Sequence, residues 1–427
     1  MQYEPDLQPH LPKLLYDLGL RAYQAAIALA APFNLKAKLM QEGRTGQFER
    51  LQQALQGNRA PVAWFHCASL GEFEQGRPVM EAFRQEFPAY KVLLTFFSPS
   101  GYEIRKNYTG ADYIFYLPLD SAGNARKFLD LVQPALAVFV KYEFWHYYLL
   151  ELERKSIPVL SISAIFRQDQ IFFKPFGSFY RNILRRFTHI YTQNTTSLEL
   201  LQSIQIRQAS VAGDTRFDRV LQTAASVKRI PLVEAFAQGQ QVFMVGSSWQ
   251  ADIDVLLSLI QKHRQSIKFI IAPHEVHEAS IAAVMQELGG DAIRFSEATE
   301  ANAAKYNVLV IDNIGMLSSL YSYGTYAYIG GAFGKGLHNT LEAAVFGLPL
   351  FFGPKYDKFQ EAKDLEALGC AFPISSSGEL LEAFERVHKT PGLRESITNK
   401  EKQYVQKQAG ATAQIMHEVK RLLKENA

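Results

Sequence analysis

The 427-residue sequence has only two cysteines, Cys67 and Cys370, and they stand far apart. Two isolated cysteines supply neither a disulfide framework nor the paired spacing of a structural zinc site. The N-terminus also lacks a clean apolar run followed by a small-residue cleavage site, so no secretory signal peptide is predicted. Together these absences favour a protein of a reducing compartment.

The sequence also lacks a strong excess of charge, a low-complexity tract and a short repeat. Charged residues make up 20% of the chain and the net charge is +3, without the concentrated basic face of a nucleic-acid-binding domain. We therefore expect no nucleic-acid partner. With 48% hydrophobic residues, a chain of this length can form two or three domains with sizeable cores.

No uninterrupted apolar run reaches the roughly 20 residues that a membrane-spanning helix needs. The nearest segment, Leu11–Phe33, is interrupted by four polar residues: Lys13, Asp17, Arg21 and Gln24. Because these fall on one broad side of a helix and the leucines on the other, the pattern predicts an amphipathic helix that lies in a membrane interface. Three basic residues follow that could meet anionic headgroups: Lys36, Lys38 and Arg44. The alternative is a helix packed on the protein's own core.

What the sequence does contain is a repeated alternation of short apolar runs and helical patterns. The first series of predicted strands is Val62–Cys67, Val92–Phe97, Ile114–Leu117, Leu136–Val140, Val159–Ile162, Ile190–Thr192 and Ser210–Ala212. The second series is Val242–Val245, Phe269–Ala272, Val308–Ile311, Tyr326–Ile329 and Leu350–Phe352. Continuous apolar runs separated by helices indicate parallel sheets covered on both faces. The predicted fold is α/β, with two doubly wound Rossmann-like domains facing a cleft.

The domain boundaries follow from where this alternation begins, breaks and resumes. We predict a helical, membrane-associated segment over 1–50, a first Rossmann-like domain over 51–222, a linker over 223–240 and a second domain over 241–427. Ligands of such sheets bind outside the carboxyl ends of the strands. Candidate functional residues are therefore sought directly after the predicted strands.

The first candidate cluster is His66–Phe73, directly after the first strand. Its small residues let the backbone approach a ligand, and Glu72 falls at the start of the next helix. A carboxylate there is favoured by the helix dipole, so we expect Glu72 to stay ionised at neutral pH and to be able to accept a proton from a hydroxyl. The alternative is an ordinary first-turn acid. Glu74, two residues on, is the weaker candidate.

The second cluster, Lys141–Trp145, follows the fourth strand and places Glu143 at the same sheet edge. An acid beside aromatic residues is also common in purely structural settings.

The third cluster, Gly330–Glu342, has four glycines in seven residues after a predicted strand and before a predicted helix. Glycines permit a tight turn and close backbone contact with a phosphate, and a helix beginning at His338–Thr340 would offer free N–H groups. Glu342 could accept hydrogen bonds from ribose hydroxyls. The loop matches neither the dinucleotide fingerprint nor a Walker A loop. The alternative is a turn with a helix cap.

Three further loops would lie at the same edge of the second sheet: Gly246–Trp249, Pro273–Glu275 and Asp312–Leu317. Asp252 and Asp254 match an acidic pair that can bind metal, but they stand at a predicted helix start, where acids are common. We therefore predict no metal site.

Together, the order and spacing of these motifs from about residue 60 to 365 resemble the 3-deoxy-D-manno-octulosonic acid (Kdo) transferases of lipopolysaccharide synthesis. The segments that carry the resemblance are His66–Phe73, Glu143–Trp145, Gly213–Asp218, Gly246–Asp252, Asp312–Leu317, Gly330–Glu342, Gly347–Pro349 and Phe352–Pro354. The N-terminal helix also belongs to the pattern.

The resemblance implies a GT-B fold, CMP-Kdo as donor, a lipid A precursor (a tetraacyldisaccharide bisphosphate) as acceptor, and inversion at the anomeric carbon. It implies that Glu72 is the general base, in an acceptor cleft with Ser69, Gly71, Glu143 and Arg167. The implied CMP-binding residues are Gly246, Ser247, Ser248, Pro273, His274, Gly315, Met316, Gly334, Gly336, His338, Asn339, Thr340 and Glu342. Among these, His338, Asn339 and Thr340 would hold the phosphate. No cofactor is expected, and the implied location is the cytoplasmic side of the inner membrane.

The chain departs from the family pattern at several positions. Lys141 stands where many members carry an acid, Trp249 where His is usual, and His274–Glu275 where an Arg-His pair is typical. Asp214 replaces Asn, and Ser163–Arg167 replaces a more usual Asn-Ala-Arg run. Three alternatives stay open: a GT-B transferase with another nucleotide sugar, a sugar-nucleotide epimerase, and an inactive membrane-binding scaffold.

Overall fold

The computed structural model describes residues 10–334 and 336–425. The described residues form two compact units, one of residues 10–218 with 409–425 and one of residues 219–408. The sequence placed the whole C-terminal segment in the second domain, whereas residues from Ala409 on belong to the first unit. Each unit contains a seven-stranded parallel sheet, as the alternation of apolar runs and helices predicted.

The sheet of the first unit has the strand order β3-β2-β1-β4-β5-β6-β7. Its strands are β1 (Val62–Cys67), β2 (Lys91–Phe96), β3 (Tyr113–Tyr116), β4 (Pro134–Val140), β5 (Val159–Ala164), β6 (His189–Thr192) and β7 (Ala209–Val211). Both β1 and β4 are almost wholly buried, since helices cover both faces of the sheet. All seven predicted strands are confirmed, with bounds that differ by one or two residues.

The helices of this unit begin before the sheet and return to it at the end of the chain. They are α1 (His10–Ala30), α2 (Leu35–Arg44), α3 (Gln47–Leu55), α4 (Leu70–Glu86), α5 (Pro99–Arg105), α6 (Ala122–Val132), α7 (His146–Arg154), α8 (Ser178–Leu184) and α9 (Thr195–Ser203). Helix α10 (Thr215–Ala225) follows β7, and α19 (Ala411–Glu425) closes the unit.

The return of the chain to the first unit is fixed by Asp218. Its carboxylate accepts hydrogen bonds from the backbone N–H groups of Gly410 (2.6 Å) and Thr412 (2.7 Å), at the start of α19. A negative charge at a helix N-terminus stabilises the helix. Helix α19 then packs against α4 and buries Ile415 and Val419 completely.

Helix α1 contacts the protein through Tyr16 and Asp17, and most of its leucines are exposed. Tyr16 donates a 2.5 Å hydrogen bond to Asp120, and Asp17 accepts one of 2.6 Å from Tyr147. On the other side Leu15 and Leu18 are 57% and 60% exposed. A surface helix of a globular protein normally shows the opposite arrangement. A helix is therefore present where the sequence predicts one, and Tyr16 packs against the core of the first unit, as the alternative expects. Its position in a membrane interface stays a prediction.

The sheet of the second unit has the order β10-β11-β9-β8-β12-β13-β14. Its strands are β8 (Gln241–Ser248), β9 (Ile267–Pro273), β10 (Ala292–Arg294), β11 (Val308–Val310), β12 (Tyr326–Ile329), β13 (Leu350–Phe352) and β14 (Ala371–Pro373). The five predicted strands are confirmed. The two edge strands, β10 and β14, were missed because they end in Arg294 and Pro373 and do not form continuous apolar runs.

The helices of the second unit lie before, between and after its strands. They are α11 (Pro231–Ala237), α12 (Gln250–His263), α13 (Glu278–Leu288), α14 (Leu317–Leu320), α15 (Leu341–Ala344), α16 (Gln360–Ala367), α17 (Ser377–Lys389) and α18 (Leu393–Gln408). Within residues 10–334 and 336–425, no helix is both long and apolar enough to cross a membrane.

Candidate active site

In the first unit, β1 and β4 are neighbours, and the strand order runs in opposite directions from them. Such a switch point opens a crevice at the carboxyl ends of the strands, where ligands of parallel sheets bind. Two predicted residues meet at this point: His66 near the end of β1 and Glu143 just after β4. Their side chains are 0% and 7% exposed.

A chain of buried hydrogen bonds leads from the sheet to His66. The indole of Trp64 donates to the Thr95 hydroxyl oxygen at 2.8 Å, and that oxygen lies 2.8 Å from Nδ1 of His66. An indole N–H can only donate, so the Thr95 oxygen accepts it. Nδ1 of His66 also lies 3.2 Å from the Thr95 carbonyl oxygen, so Thr95 holds this edge of the imidazole through two oxygens.

Glu143 is held at the far end of this chain. Its Oε2 lies 2.8 Å from Nε2 of His66 and accepts a 2.6 Å hydrogen bond from the indole of Trp145. Two donors from rigid rings fix the carboxylate in one position. Sequence reasoning singled out Glu143 but missed Thr95, because a threonine inside a predicted strand carries no signal of function.

Glu72 lies in the first turn of α4, whose N-cap is Ser69. Its carboxylate accepts a hydrogen bond from the backbone N–H of Ala68, and the residue is 9% exposed. Burial, followed by the negative charge of Glu143, raises the pKa of Glu72 to about 8, against the opposing effects of the Ala68 N–H and Lys141. The expectation that Glu72 stays ionised at neutral pH is therefore wrong, because desolvation outweighs the helix dipole.

A carboxyl group with a pKa of about 8 is suited to accept a proton near neutral pH. Perturbed carboxyl groups in clefts mark candidate active sites. Glu74, the weaker candidate, forms ion pairs with Arg105 (2.7 Å) and Arg77 (3.9 Å) on the protein surface. The geometry therefore favours Glu72.

The other residues predicted for this edge are more exposed than Glu72. Gly71 is exposed in the first turn of α4, and a Cβ there would meet only the Ser69 hydroxyl, at 3.9 Å. Arg167 is exposed, and its charge lowers the pKa of Tyr142, although burial raises that pKa more. Lys141 has a φ of 68°, a left-handed conformation that is uncommon for a residue with a side chain and that often occurs at functional sites.

The motif Gly213–Asp218 supports this edge rather than lining it. Asp214 forms a 2.7 Å ion pair with Arg216 and accepts a weak hydrogen bond, 3.4 Å, from Gln75 of α4. The backbone carbonyl of Gln75 accepts a hydrogen bond from Thr215. The motif thereby ties the end of β7 to the helix that carries Glu72.

In the second unit, the corresponding switch point lies between β8 and β12. Asp252, in the first turn of α12 and completely buried, connects the loops that follow both strands. Its carboxylate accepts hydrogen bonds from the backbone N–H groups of Trp249 (2.8 Å) and Gly331 (2.9 Å) and from the hydroxyl of Tyr328 (2.8 Å). With both oxygens used by protein donors, Asp252 has a structural role.

Asp254 makes a surface hydrogen bond with Gln250. In the described ranges, no three His, Cys, Asp or Glu side chains are grouped so that they could hold a metal ion.

The glycine-rich loop after β12 needs its glycines for steric reasons. A Cβ on Gly330 would lie 2.3 Å from the carbonyl oxygen of Ser247. Gly331 and Gly336 have φ values of 95° and 124°, which favour glycine. The helix expected to begin at His338–Thr340 is a four-residue turn, Leu341–Ala344, so its dipole contributes little.

Two buried hydroxyl groups at this edge have no partner among the described residues. They belong to Ser248, which is 3% exposed, and Thr340, which is 0% exposed. Buried polar groups are normally hydrogen-bonded, so unpaired hydroxyls beside a glycine loop indicate a place for a polar ligand.

The side chain of Asn339, predicted to contact phosphate, instead accepts from the N–H of Leu341 (3.1 Å) and donates to Glu342 (3.0 Å). It thereby orients Glu342, which lies in the first turn of α15 as predicted. The amide of Asn339 is used within the protein.

Three aromatic rings from separate loops are packed together at this edge. His274 stacks on Trp249 at a centroid distance of 4.5 Å and on His338 at 4.6 Å. The indole of Trp249 also donates to Nε2 of His338 at 3.2 Å. Burial, and then the neighbouring His274, lowers the pKa of His338 to about 4, so His338 is neutral at pH 7.

The remaining predicted residues follow the strands of the same sheet. Gly246 and Ser247 lie in β8, and Ser247 has a positive φ of 55°. Pro273 ends β9, and the loop with Gly315 and Met316 follows β11 and precedes α14. Gly334 is exposed, and a Cβ there would meet nothing within 4 Å, so that glycine is not required sterically. The predicted residues of this unit therefore share one sheet edge.

Comparison with known proteins gives the same family as the motifs. Residues 44–219 match the family 3-deoxy-D-manno-octulosonic-acid transferase (kdotransferase). The 3-deoxy-D-manno-octulosonic acid transferase of Aquifex aeolicus is 26% identical over 325 residues, which cover 74% of this chain and 83% of the relative. The enzyme of the same name from Chlamydophila psittaci is 26% identical over 312 residues, which cover 69% of this chain and 70% of the relative.

Among solved structures, the UDP-GlcNAc 2-epimerase of Neisseria meningitidis bound to UDP-GlcNAc is similar, with a TM-score of 0.59. It is 17% identical to this chain and covers 84% of this chain and 99% of its own. At that identity the similarity shows the fold alone: two parallel-sheet α/β units like those of GT-B glycosyltransferases. The resemblance found in the motifs is confirmed: the chain is an enzyme similar to 3-deoxy-D-manno-octulosonic acid (Kdo) transferases, which are glycosyltransferases.

Proposed function

We propose that the protein transfers Kdo from CMP-Kdo to a lipid A precursor, a step of lipopolysaccharide synthesis. The observation that carries the proposal is Glu72: a buried carboxyl with a pKa raised to about 8, at the switch point of the unit that matches the family. The names of the relatives support Kdo transfer, and the acceptor and donor come from the resemblance of the motifs.

In the proposed reaction, the Glu72 carboxylate takes the proton of an acceptor hydroxyl. The hydroxyl oxygen forms a bond to the anomeric carbon of Kdo from the face opposite the leaving group, which inverts the configuration. The bond between that carbon and the phosphate oxygen breaks, and its electron pair leaves with CMP. Because Glu143 adds negative charge beside Glu72, the base binds the proton more strongly than an isolated carboxylate would.

On the donor side, the leaving phosphate needs hydrogen-bond donors that are already in place. The unpaired hydroxyls of Ser248 and Thr340 and the backbone of the glycine-rich loop are suited to this. Glu342, oriented by Asn339, would accept hydrogen bonds from the ribose hydroxyls. The loops with Pro273 and Gly315 would surround the cytosine.

The leucine side of α1 is proposed to lie on the membrane at the cytoplasmic face of the inner membrane. Its exposed residues are Leu11, Leu14, Leu15, Leu18 and Leu29, and Phe33 and Leu35 follow with exposures of 91% and 71%. Tyr16 and Asp17 attach the helix to the protein, while these apolar side chains stay exposed and available to lipid. A helix held in this way would lie in the interface plane.

The transfer is tested by incubating the purified protein with a CMP-Kdo-generating system and a tetraacylated lipid A precursor in detergent. Mass spectrometry of the lipid should show the addition of one or more Kdo units, and their number defines the product. A folded protein that adds no Kdo would contradict the proposal, and a panel of other nucleotide sugars would then test the more general GT-B transferase.

Membrane binding is tested separately by flotation with vesicles that contain phosphatidylglycerol. The double variant Leu15→Gln/Leu18→Gln should float much less than the wild type. Leu368→Gln, which changes an exposed leucine of the second unit that is 37% exposed, is the matched control and should float normally. Equal flotation of all three proteins would mean that α1 does not provide the membrane contact.

A further inference from the structure

Trp249, His274 and His338 form one cluster in the second unit. Trp249 and His274 are positions at which the chain departs from the family pattern, and His338 belongs to the glycine-rich loop. The indole N–H of Trp249 points to Nε2 of His338 at 3.2 Å. Since an indole nitrogen can donate but never accept, Nε2 must be the unprotonated nitrogen of the imidazole. The proton of a neutral His338 is therefore on Nδ1.

The surroundings of His338 fix the ring as well as its proton. His274 stacks on both partners of the Trp249–His338 hydrogen bond. A Cβ on Gly331 would lie 2.9 Å from Cδ2 and 3.2 Å from Nε2 of His338, so the Cδ2–Nε2 edge packs on a glycine with no room to spare. The backbone N–H of His338 donates to the carbonyl of Gly330 at 3.2 Å. The ring is held on three sides.

Nδ1 lies on the edge of the imidazole opposite Cδ2, away from Gly331. The only side-chain hydrogen bond of His338 to any described residue is the one that its Nε2 accepts from Trp249. Protonation of Nε2 would place two N–H groups against each other and break that bond, so the arrangement also disfavours the imidazolium. Burial acts in the same direction and keeps the pKa of His338 low.

We propose that Trp249 is a positioning residue that holds His338 as its neutral Nδ1–H tautomer, so that His338 offers one uncharged N–H donor to the phosphate of the nucleotide. This inference rests on the proposed function for the identity of the nucleotide. It assigns a role to Trp249, at a position where the family usually has His. The phosphate contact then depends on a directed hydrogen bond and does not depend on a charged histidine.

The tautomer is measured first, without any ligand, by ¹⁵N NMR of the full chain labelled at histidine, with the His338 signals assigned from a His338→Asn variant. The wild type should show a protonated Nδ1 and an unprotonated Nε2 across neutral pH. In Trp249→Phe, which keeps a ring against His274 but removes the N–H, the signals should shift toward a mixture of tautomers. A protonated Nε2 in the wild type would overturn the inference.

Two substitutions of His338 test which nitrogen serves the ligand, with CMP as the probe in calorimetric titrations. The amide nitrogen of Asn takes a position close to Nδ1, whereas that of Gln takes one close to Nε2. His338→Asn should therefore retain CMP binding within a few-fold, and His338→Gln should weaken it by about tenfold, as expected for loss of a hydrogen bond to a charged group. The opposite order would overturn the inference.

The pH dependence separates a positioning role from a merely structural one. The CMP affinity of the wild type should show no change attributable to His338 between pH 5.5 and 8. The CMP affinity of Trp249→Phe should be several-fold weaker at pH 8 and should recover at acidic pH, because the imidazolium then forms. A uniform loss at every pH would show a structural role only and would overturn the proposal. If the wild type binds no CMP at all, the proposed donor is wrong, while the NMR result still decides the tautomer.

Discussion

Glu72 and Asp252 occupy corresponding positions in the two units, yet they are built into opposite roles. Each is a buried acid in the first turn of the helix that follows the first strand of its sheet. Asp252 accepts from three protein donors, which hold the loops after β8 and β12 together. Glu72 accepts from the backbone N–H groups of Ala68 and Ser69 and experiences the charge of a second carboxylate, Glu143.

The difference shows that burial alone does not make an acid functional. Burial raises the pKa of both groups, but hydrogen-bond donors compensate this effect at Asp252 far more than at Glu72. The edge of the first sheet therefore carries a group suited to accept a proton. The edge of the second sheet has glycines, unpaired hydroxyls and a neutral histidine, which suit an anion. Four substitutions test this difference between the two units.

The largest effect is expected for Glu72→Gln. The amide cannot accept a proton, so kcat should fall by about 10²- to 10⁴-fold while CMP affinity stays unchanged. Kdo transfer and CMP titration measure the two quantities. Glu74→Gln, which changes an ion-paired acid of the same helix, is the control and should remain active. A Glu72→Gln protein with wild-type activity would exclude Glu72 as the base.

For Asp252→Asn we expect a loss of stability. If the amide oxygen accepts from Tyr328, the amide N–H groups face the backbone N–H groups of Trp249 and Gly331, so the free energy of unfolding should fall by about 2 to 4 kcal/mol. Thermal unfolding measures this loss, and Glu72→Gln should show none of it. Full stability of Asp252→Asn would contradict the structural role of that carboxylate.

A smaller and pH-dependent effect is expected for Glu143→Gln. Since the charge of Glu143 raises the pKa of Glu72, the acidic limb of kcat/KM, which should have its midpoint near pH 8 in the wild type, should move to lower pH in the variant. The groups around Glu72 that also titrate or carry charge are Cys67, Glu74, Lys141 and Tyr142. A lower rate with an unmoved limb would assign Glu143 to packing alone.

The smallest effect is expected for Glu401→Gln in α18, a buried carboxyl with no hydrogen-bond partner among the described residues and a pKa raised well above 4.5. Below about pH 4.5 the group is protonated in the folded and the unfolded chain and carries no ionisation penalty, and the free energy of unfolding falls as the pH rises toward its folded pKa. The variant should therefore gain a few degrees in Tm relative to the wild type at pH 8 and less at pH 5. Kdo transfer should be unchanged, since Glu401 lies outside both sheet edges.

Much of the fold could be predicted because its signals are local. Short apolar runs marked the strands of both sheets, and small residues after them marked the loops. The edge strands β10 and β14 were missed because Arg294 and Pro373 interrupt their apolar pattern. The helix after the glycine-rich loop was expected from a sequence of good helix formers, but it ends after four residues, at Ala344.

The sequence by itself determined the order of strands and helices, the amphipathic character of α1 and the set of polar groups at the two sheet edges. The fold alone shows that Tyr16 and Asp17 attach α1 to the protein, that Asn339 orients Glu342, and that the pKa of Glu72 is raised to about 8. The reason is physical: periodicity is read from neighbours along the chain. Desolvation and hydrogen-bond partners are set by residues that the sheet brings together from distant segments, as β1 and β4 bring Glu143 to Glu72.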